Sequence, residues 1–176
     1  MTHNFLVSYV HLLNGNFWVL LTSTFSHNLF WHLFLNMYVF FGFGGILESY
    51  LGPTRFIKFY LTAGIVGSLI HCIVSAFILG RPEVSALGAS GAIAGVILYF
   101  SLSFPKEKIL LFGLIPIPAI WGAVLLVGLD LWGLVAQSKG GGLPIGHGAH
   151  LGGSLVGVIY YFWSRPKNSN FRQWIR

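Results

Sequence analysis

Residues 59–79 read FYLTAGIVGSLIHCIVSAFIL, a run without a single Asp, Glu, Lys or Arg. Wound as a helix at about 1.5 Å per residue, it would extend about 31 Å, the thickness of a bilayer's hydrocarbon core. Four further apolar segments of crossing length surround it, near residues 29–47, 85–104, 118–135 and 147–163. Helix breakers and charges fill the connections: Gly52-Pro53-Thr54-Arg55, Gly80-Arg81-Pro82-Glu83, Pro105-Lys106-Glu107-Lys108 and Lys139-Gly140-Gly141-Gly142. A sixth apolar stretch, Phe5–Leu21, is interrupted by Asn14, Gly15 and Asn16, so residues 1–28 read as an interfacial N-terminal segment. Residues 164–176 form a polar, basic tail. The expectation is an all-α fold: one membrane domain over residues 1–176, a polytopic bundle with about five transmembrane helices.

Composition agrees. Of 176 residues, 55% are hydrophobic and only 8% charged, with a mean hydropathy of +0.76. Soluble domains carry roughly 25% charged residues to wet their surfaces. Most of this chain's outer surface must therefore face lipid, which makes the bilayer its first partner. The net charge of +6 comes from ten basic residues scattered through short loops, with no basic helix, so no nucleic-acid partner is expected. Cys72 stands alone, which excludes a disulfide framework or a cysteine metal cluster. The first residues lack the basic, apolar and cleavage regions of a signal peptide, so the spans themselves are expected to direct insertion. Nothing in the sequence assigns an oligomeric state.

The loop charges orient the bundle. If the first span starts on side B, side A collects Arg55, Lys58, Lys106, Lys108, Arg165, Lys167, Arg172 and Arg176. Side B collects only Arg81 and Lys139. That bias makes side A the cytoplasm or its matrix equivalent. The unusual polar residues gather at the opposite level: His27, His32 and Asn36 open the first span, Ser85 and Ser90 the third, His147 and His150 the fifth. Independent spans have no reason to place polar residues at one depth unless those residues meet.

Gly88-Ala89-Ser90-Gly91 puts a serine at the start of a predicted helix, where free N–H groups and the helix dipole favour negative charge. The same motif is equally a small-residue packing face between membrane helices. His150 gives the serine a chemical partner. Ionisable groups within spans are rare and costly, which marks each as a functional-site candidate. Gly153 and Gly157 share a helix face with His150, and Gly91-x-x-x-Gly95 forms a matching face on the third span. Close approach of the two would bring an imidazole to the serine, as general-base activation requires. Of the four acids, Glu48, Glu83, Glu107 and Asp130, only Asp130 lies near the right depth. It is as well suited to a local pairing or to solvating a cavity, so the constellation reads as a dyad. His32 and Asn36, at i and i+4, offer two donors for an oxyanion site, or else a polar pair gluing the first span to its neighbours. His147 and His150, at i and i+3, could share a metal, but no third ligand is evident and no His-Glu-x-x-His occurs; neither a metal nor a cofactor is expected.

Taken together, Ser26-His27 through His32 to Asn36-Met37, Gly88-Ala89-Ser90-Gly91, and Ala149-His150-Leu151-Gly152-Gly153 resemble the motifs of the rhomboid intramembrane serine proteases, over roughly residues 18–163. Ser23-Thr24-Phe25-Ser26-His27, Asn36-Met37-Tyr38-Val39 and His147-Gly148-Ala149-His150 are similar to the mitochondrial, presenilin-associated branch. The resemblance implies Ser90 as nucleophile and His150 as general base. His32, Asn36 and the Ser90 backbone N–H would form the oxyanion site. His27 would support that site, with Gly88, Gly91 and Gly153 permitting the close approaches. It further implies a serine endopeptidase of the mitochondrial inner membrane that cleaves single-span membrane proteins without metal or nucleotide. Two departures from the family are expected: these residues would begin near the loop before the second of the usual six core helices, without the first, and Trp18-Val19 stands where many relatives carry Trp-Arg. The alternative is a catalytically impaired rhomboid-like protein that binds membrane helices without cleaving them.

Overall fold

The computed structural model describes residues 4–111 and 113–164. In chain order it places α1 (Tyr9–Leu13), α2 (Val19–Thr22), a 3-10 turn (Ser23–Phe25), α3 (Phe30–Leu51) and α4 (Pro53–Ile73), which runs on through a π-helical turn over Val74–Ile78. Then come α5 (Ser90–Ser103), a hairpin of β1 (Lys108–Leu111) and β2 (Ile115–Pro118), α6 (Ala119–Ser138) and α7 (His147–Ser164). The charge-free run lies, up to Ile78, in α4 and its π turn, but the helix begins earlier, at Pro53. Gly52, at φ +80°, ends α3, and proline is pre-organised for a helix's first turn. Arg55 thus belongs to that first turn and Lys58 to the second, and neither lies in a loop.

Among the described residues, three helices are long and apolar enough to cross a membrane: Phe30–Leu51, Pro53–Ile78 and Ala119–Ser138. The third expected span is shorter than residues 85–104 suggest. Helix α5 has 14 residues, about 21 Å at 1.5 Å per residue, and starts only at Ser90. The preceding loop is claimed by other partners. Val7 and Ala86 exchange backbone hydrogen bonds of 3.0 and 2.8 Å, Val10 N–H donates to Pro82 O, and Gly88 N–H donates to Ser23 O at 2.8 Å. The N-terminal segment expected to lie at the interface therefore packs into the bundle, with Val7 and Val19 buried against Cys72. The basic tail, from residue 165 on, lies outside the described residues.

Helix α5 is the centre of the core. Ala92, Ile93, Val96, Tyr99 and Phe100 are buried beside Phe56, Phe59, Tyr60 and Ala63 of α4 and Leu47 of α3. Helix α3 buries only Asn36, Gly44 and Leu47 and leaves Phe30, Trp31, Phe34 and Phe41 exposed, as a lipid-facing helix does. The hairpin was not anticipated. It pairs Lys108 with Pro118 and Leu111 with Ile115, and its base satisfies the opening N–H groups of α6: Ala119 donates to Glu107 O and Ile120 to Pro105 O.

Helices α5 and α7 meet through glycines. A Cβ on Gly153 would overlap the Gly91 carbonyl, one on Gly157 the Gly95 carbonyl, and one on Gly95 would lie 2.7 Å from Gly153 O. On the other flank of α7, a Cβ on Gly67 of α4 would lie 2.8 Å from Ala149 O. Small-residue faces let membrane helices gain close backbone packing in place of a hydrophobic driving force. That packing fixes the separation of the side chains at the top of α5 and α7.

Candidate active site

Ser90 is the first residue of α5 and His150 stands in the first turn of α7. Across the glycine interface, Ser90 Oγ lies 2.9 Å from His150 Nε2. His150 Nδ1 lies in turn 2.9 Å from Asp130 Oδ1, on α6. The same carboxylate oxygen is 2.7 Å from His147 Nδ1. The dyad read from the sequence thus has a buried acid behind it. Asp130 is 4% exposed and His147 6%, so this is a desolvated cluster. The sequence signal for Asp130 was its position as the lone acid inside a span. What was missing was the register of α6, which the hairpin before it sets.

Gly88 has φ +113°, a conformation that favours glycine, and a Cβ there would lie 2.7 Å from the His32 imidazole. His32 therefore lies directly on the backbone that precedes Ser90. Asn36, one turn down α3, is buried and donates an Nδ2 hydrogen to His32 O at 2.7 Å. An amide nitrogen carries two hydrogens, so one remains to be donated elsewhere. His27 packs edge-on against His32, with ring centroids 4.9 Å apart, and its Nε2 accepts from the Ala89 N–H at 3.4 Å. Burial, reinforced by the adjacent His32, lowers the His27 pKa from the usual histidine value, which keeps that lone pair available at neutral pH.

Ser90, His150, His32, Asn36, Gly88 and Gly91 all line one cavity of about 1070 Å³. Its far wall is the Gly140–Gly146 loop between α6 and α7, where Gln137 Nε2 donates to Leu143 O and Ile145 O. His27 and Gly153 lie outside this lining, His27 against His32 and Gly153 against Gly91. Asp130, His147 and His150 also place potential ligand atoms within 4.8 Å of one another, supplying the third group that the two histidines lacked in sequence. Their 2.7 and 2.9 Å separations are those of N–H···O hydrogen bonds.

Within a helical membrane bundle, Ser90, His150 and Asp130 thus stand in one hydrogen-bonded series, with Ser90 and His150 on the wall of the cavity. Residues 14–167 match the Rhomboid domain model. The chain is 39% identical over 146 residues to Rhomboid protein 1, mitochondrial, of Saccharomyces cerevisiae, covering 78% of this chain and 39% of that protein. It is 30% identical over 184 positions to RHOMBOID-like protein 12, mitochondrial, of Arabidopsis thaliana, covering 98% and 53%. Against the Homo sapiens Presenilin-associated rhomboid-like protein, mitochondrial, the figures are 33% over 143 residues, covering 80% and 36%. The chain belongs to the rhomboid family, in its mitochondrial branch, and is a mitochondrial integral membrane protein. It spans about half or less of the length of these relatives.

Proposed function

We propose that the chain is an intramembrane serine endopeptidase that cleaves transmembrane segments of single-span membrane proteins. The observation that carries this reading is the 2.9 Å contact of Ser90 Oγ with His150 Nε2 on the wall of a cavity of about 1070 Å³. Ser90 Oγ attacks the scissile carbonyl carbon as its proton passes to His150 Nε2. The oxyanion is met by the free N–H groups at the start of α5 and by His32 and Asn36, which share the cavity wall. His150 then returns the proton to the leaving amine, the C–N bond breaks, and an acyl-serine remains. Water, deprotonated by the same imidazole, hydrolyses the ester and regenerates Ser90. The sequence of steps needs no metal and no cofactor.

Backbone in a substrate helix is already hydrogen-bonded, so a segment must unwind before its carbonyl reaches Ser90. Substrates with glycine or proline near the cut meet that requirement at least cost. Purified chain in liposomes with such a single-span substrate should yield two fragments split within the apolar segment. A substrate that is captured but stays intact over many hours would instead establish the non-cleaving alternative.

His32 has its own test. Replacing His32 by Ala removes one oxyanion donor, and kcat should fall on the order of 10²–10³-fold with KM little changed. An unaltered kcat would reduce His32 to packing against Gly88.

A further inference from the structure

We propose that Asp130 is a positioning residue that fixes the tautomer and orientation of the His150 imidazole, with His147 holding the carboxylate in place. The inference rests on the reading of Ser90 and His150 as nucleophile and base, and adds to it the group that readies the base.

Two imidazole Nδ1 atoms converge on one oxygen, Asp130 Oδ1, at 2.7 Å from His147 and 2.9 Å from His150. A carboxylate has only lone pairs to offer, so each Nδ1 carries the hydrogen and donates it. That assignment leaves His150 Nε2 without a proton, and Nε2 is the atom 2.9 Å from Ser90 Oγ. The other tautomer would aim an N–H at the serine and could not accept its proton. When Nε2 does become protonated during the reaction, the buried carboxylate faces the resulting imidazolium.

The second histidine explains why the carboxylate stays put. Asp130 and Gly133 are one turn apart on α6, and the His147 ring lies against Gly133 so closely that a Cβ there would overlap it. His147 is thus wedged between Asp130 and Gly133, with its Nδ1 directed at the acid. Asp130 is bonded from two sides while its other oxygen, Oδ2, has no protein partner among the described residues. A carboxylate with one free oxygen would swing towards any other donor. Two N–H groups on Oδ1, from residues of the same α7 turn, hold it facing His150.

The test uses the purified full chain in proteoliposomes, with initial rates measured across a range of substrate density. Asp130→Asn should lower kcat on the order of 10²–10⁴-fold while KM stays within about threefold. A kcat within about threefold of the parent would overturn the proposal. A second measurement needs no substitution at the acid: imidazole ¹⁵N resonances of the parent should show His150 protonated at Nδ1 and bare at Nε2. The reverse tautomer would overturn it independently of any loss of folding in the variant. Ser90→Ala run alongside separates the two levels. If it cleaves like the parent, the protease reading fails; if it is inactive and Asp130→Asn is not, only the role of Asp130 fails.

Discussion

Ser90→Ala should leave the bundle folded and lower turnover by on the order of 10⁴-fold or more. The side chain removed is one hydroxyl at the first position of α5, lining a cavity and bonded, among the described residues, to His150 alone. Its loss opens no void in the core, because the residues that bury α5, from Ala92 to Phe100, are untouched. The catalytic effect is large for a different reason. Without Oγ there is no covalent intermediate, and a single water would have to find both the imidazole and the oxyanion donors unaided. Fragment formation per unit time from a single-span substrate, together with the thermal midpoint in detergent, checks both halves. Undiminished cleavage would contradict the assignment of Ser90; a collapsed midpoint would mean that the hydroxyl supports the fold.

Gly153→Ala is expected to cost both stability and activity. The new methyl would coincide with the Gly91 carbonyl, which is backbone and cannot rotate aside. Helices α5 and α7 must then separate, and overpacking of this kind costs typically 1–3 kcal/mol. Separation also stretches the 2.9 Å contact of Ser90 with His150, because each residue stands within one turn of the crowded pair. Gly128→Ala, on α6 where a Cβ meets nothing within 4 Å, supplies the control and should be tolerated. A lowered midpoint and lost turnover for Gly153→Ala beside parent-like Gly128→Ala would confirm that α5–α7 packing sets the site. Equal behaviour of the two would contradict it.

Much of this arrangement is legible in the residues themselves. Runs without charge set the places of the long helices, because lipid tolerates no other composition there. The glycine faces of α5 and α7 could be paired because His150 and Ser90 each sit at the same end of one. Helix starts were less legible. Residues 85–89 are apolar enough to continue α5 upwards, yet their backbone is bonded to Val7 and Ser23, partners far away in sequence. The hairpin Lys108–Pro118 carries no alternating polarity, since Leu110, Leu111 and Ile115 are apolar on both faces, so its pairing left no period to read. That hairpin sets where α6 begins and so at what depth Asp130 lies. An acid known only to be inside a span became, once that depth was fixed, the partner of two histidines.

The central claim is that His150 makes Ser90 a nucleophile, and covalent labelling tests it most directly. A fluorophosphonate probe incubated with the purified chain in lipid should be found on Ser90 by mass spectrometry of the digested protein. The same probe should leave the folded His150→Ala variant unlabelled over the same time. Labelling that ignores His150, or a parent chain that stays unlabelled while folded in lipid, would contradict the account.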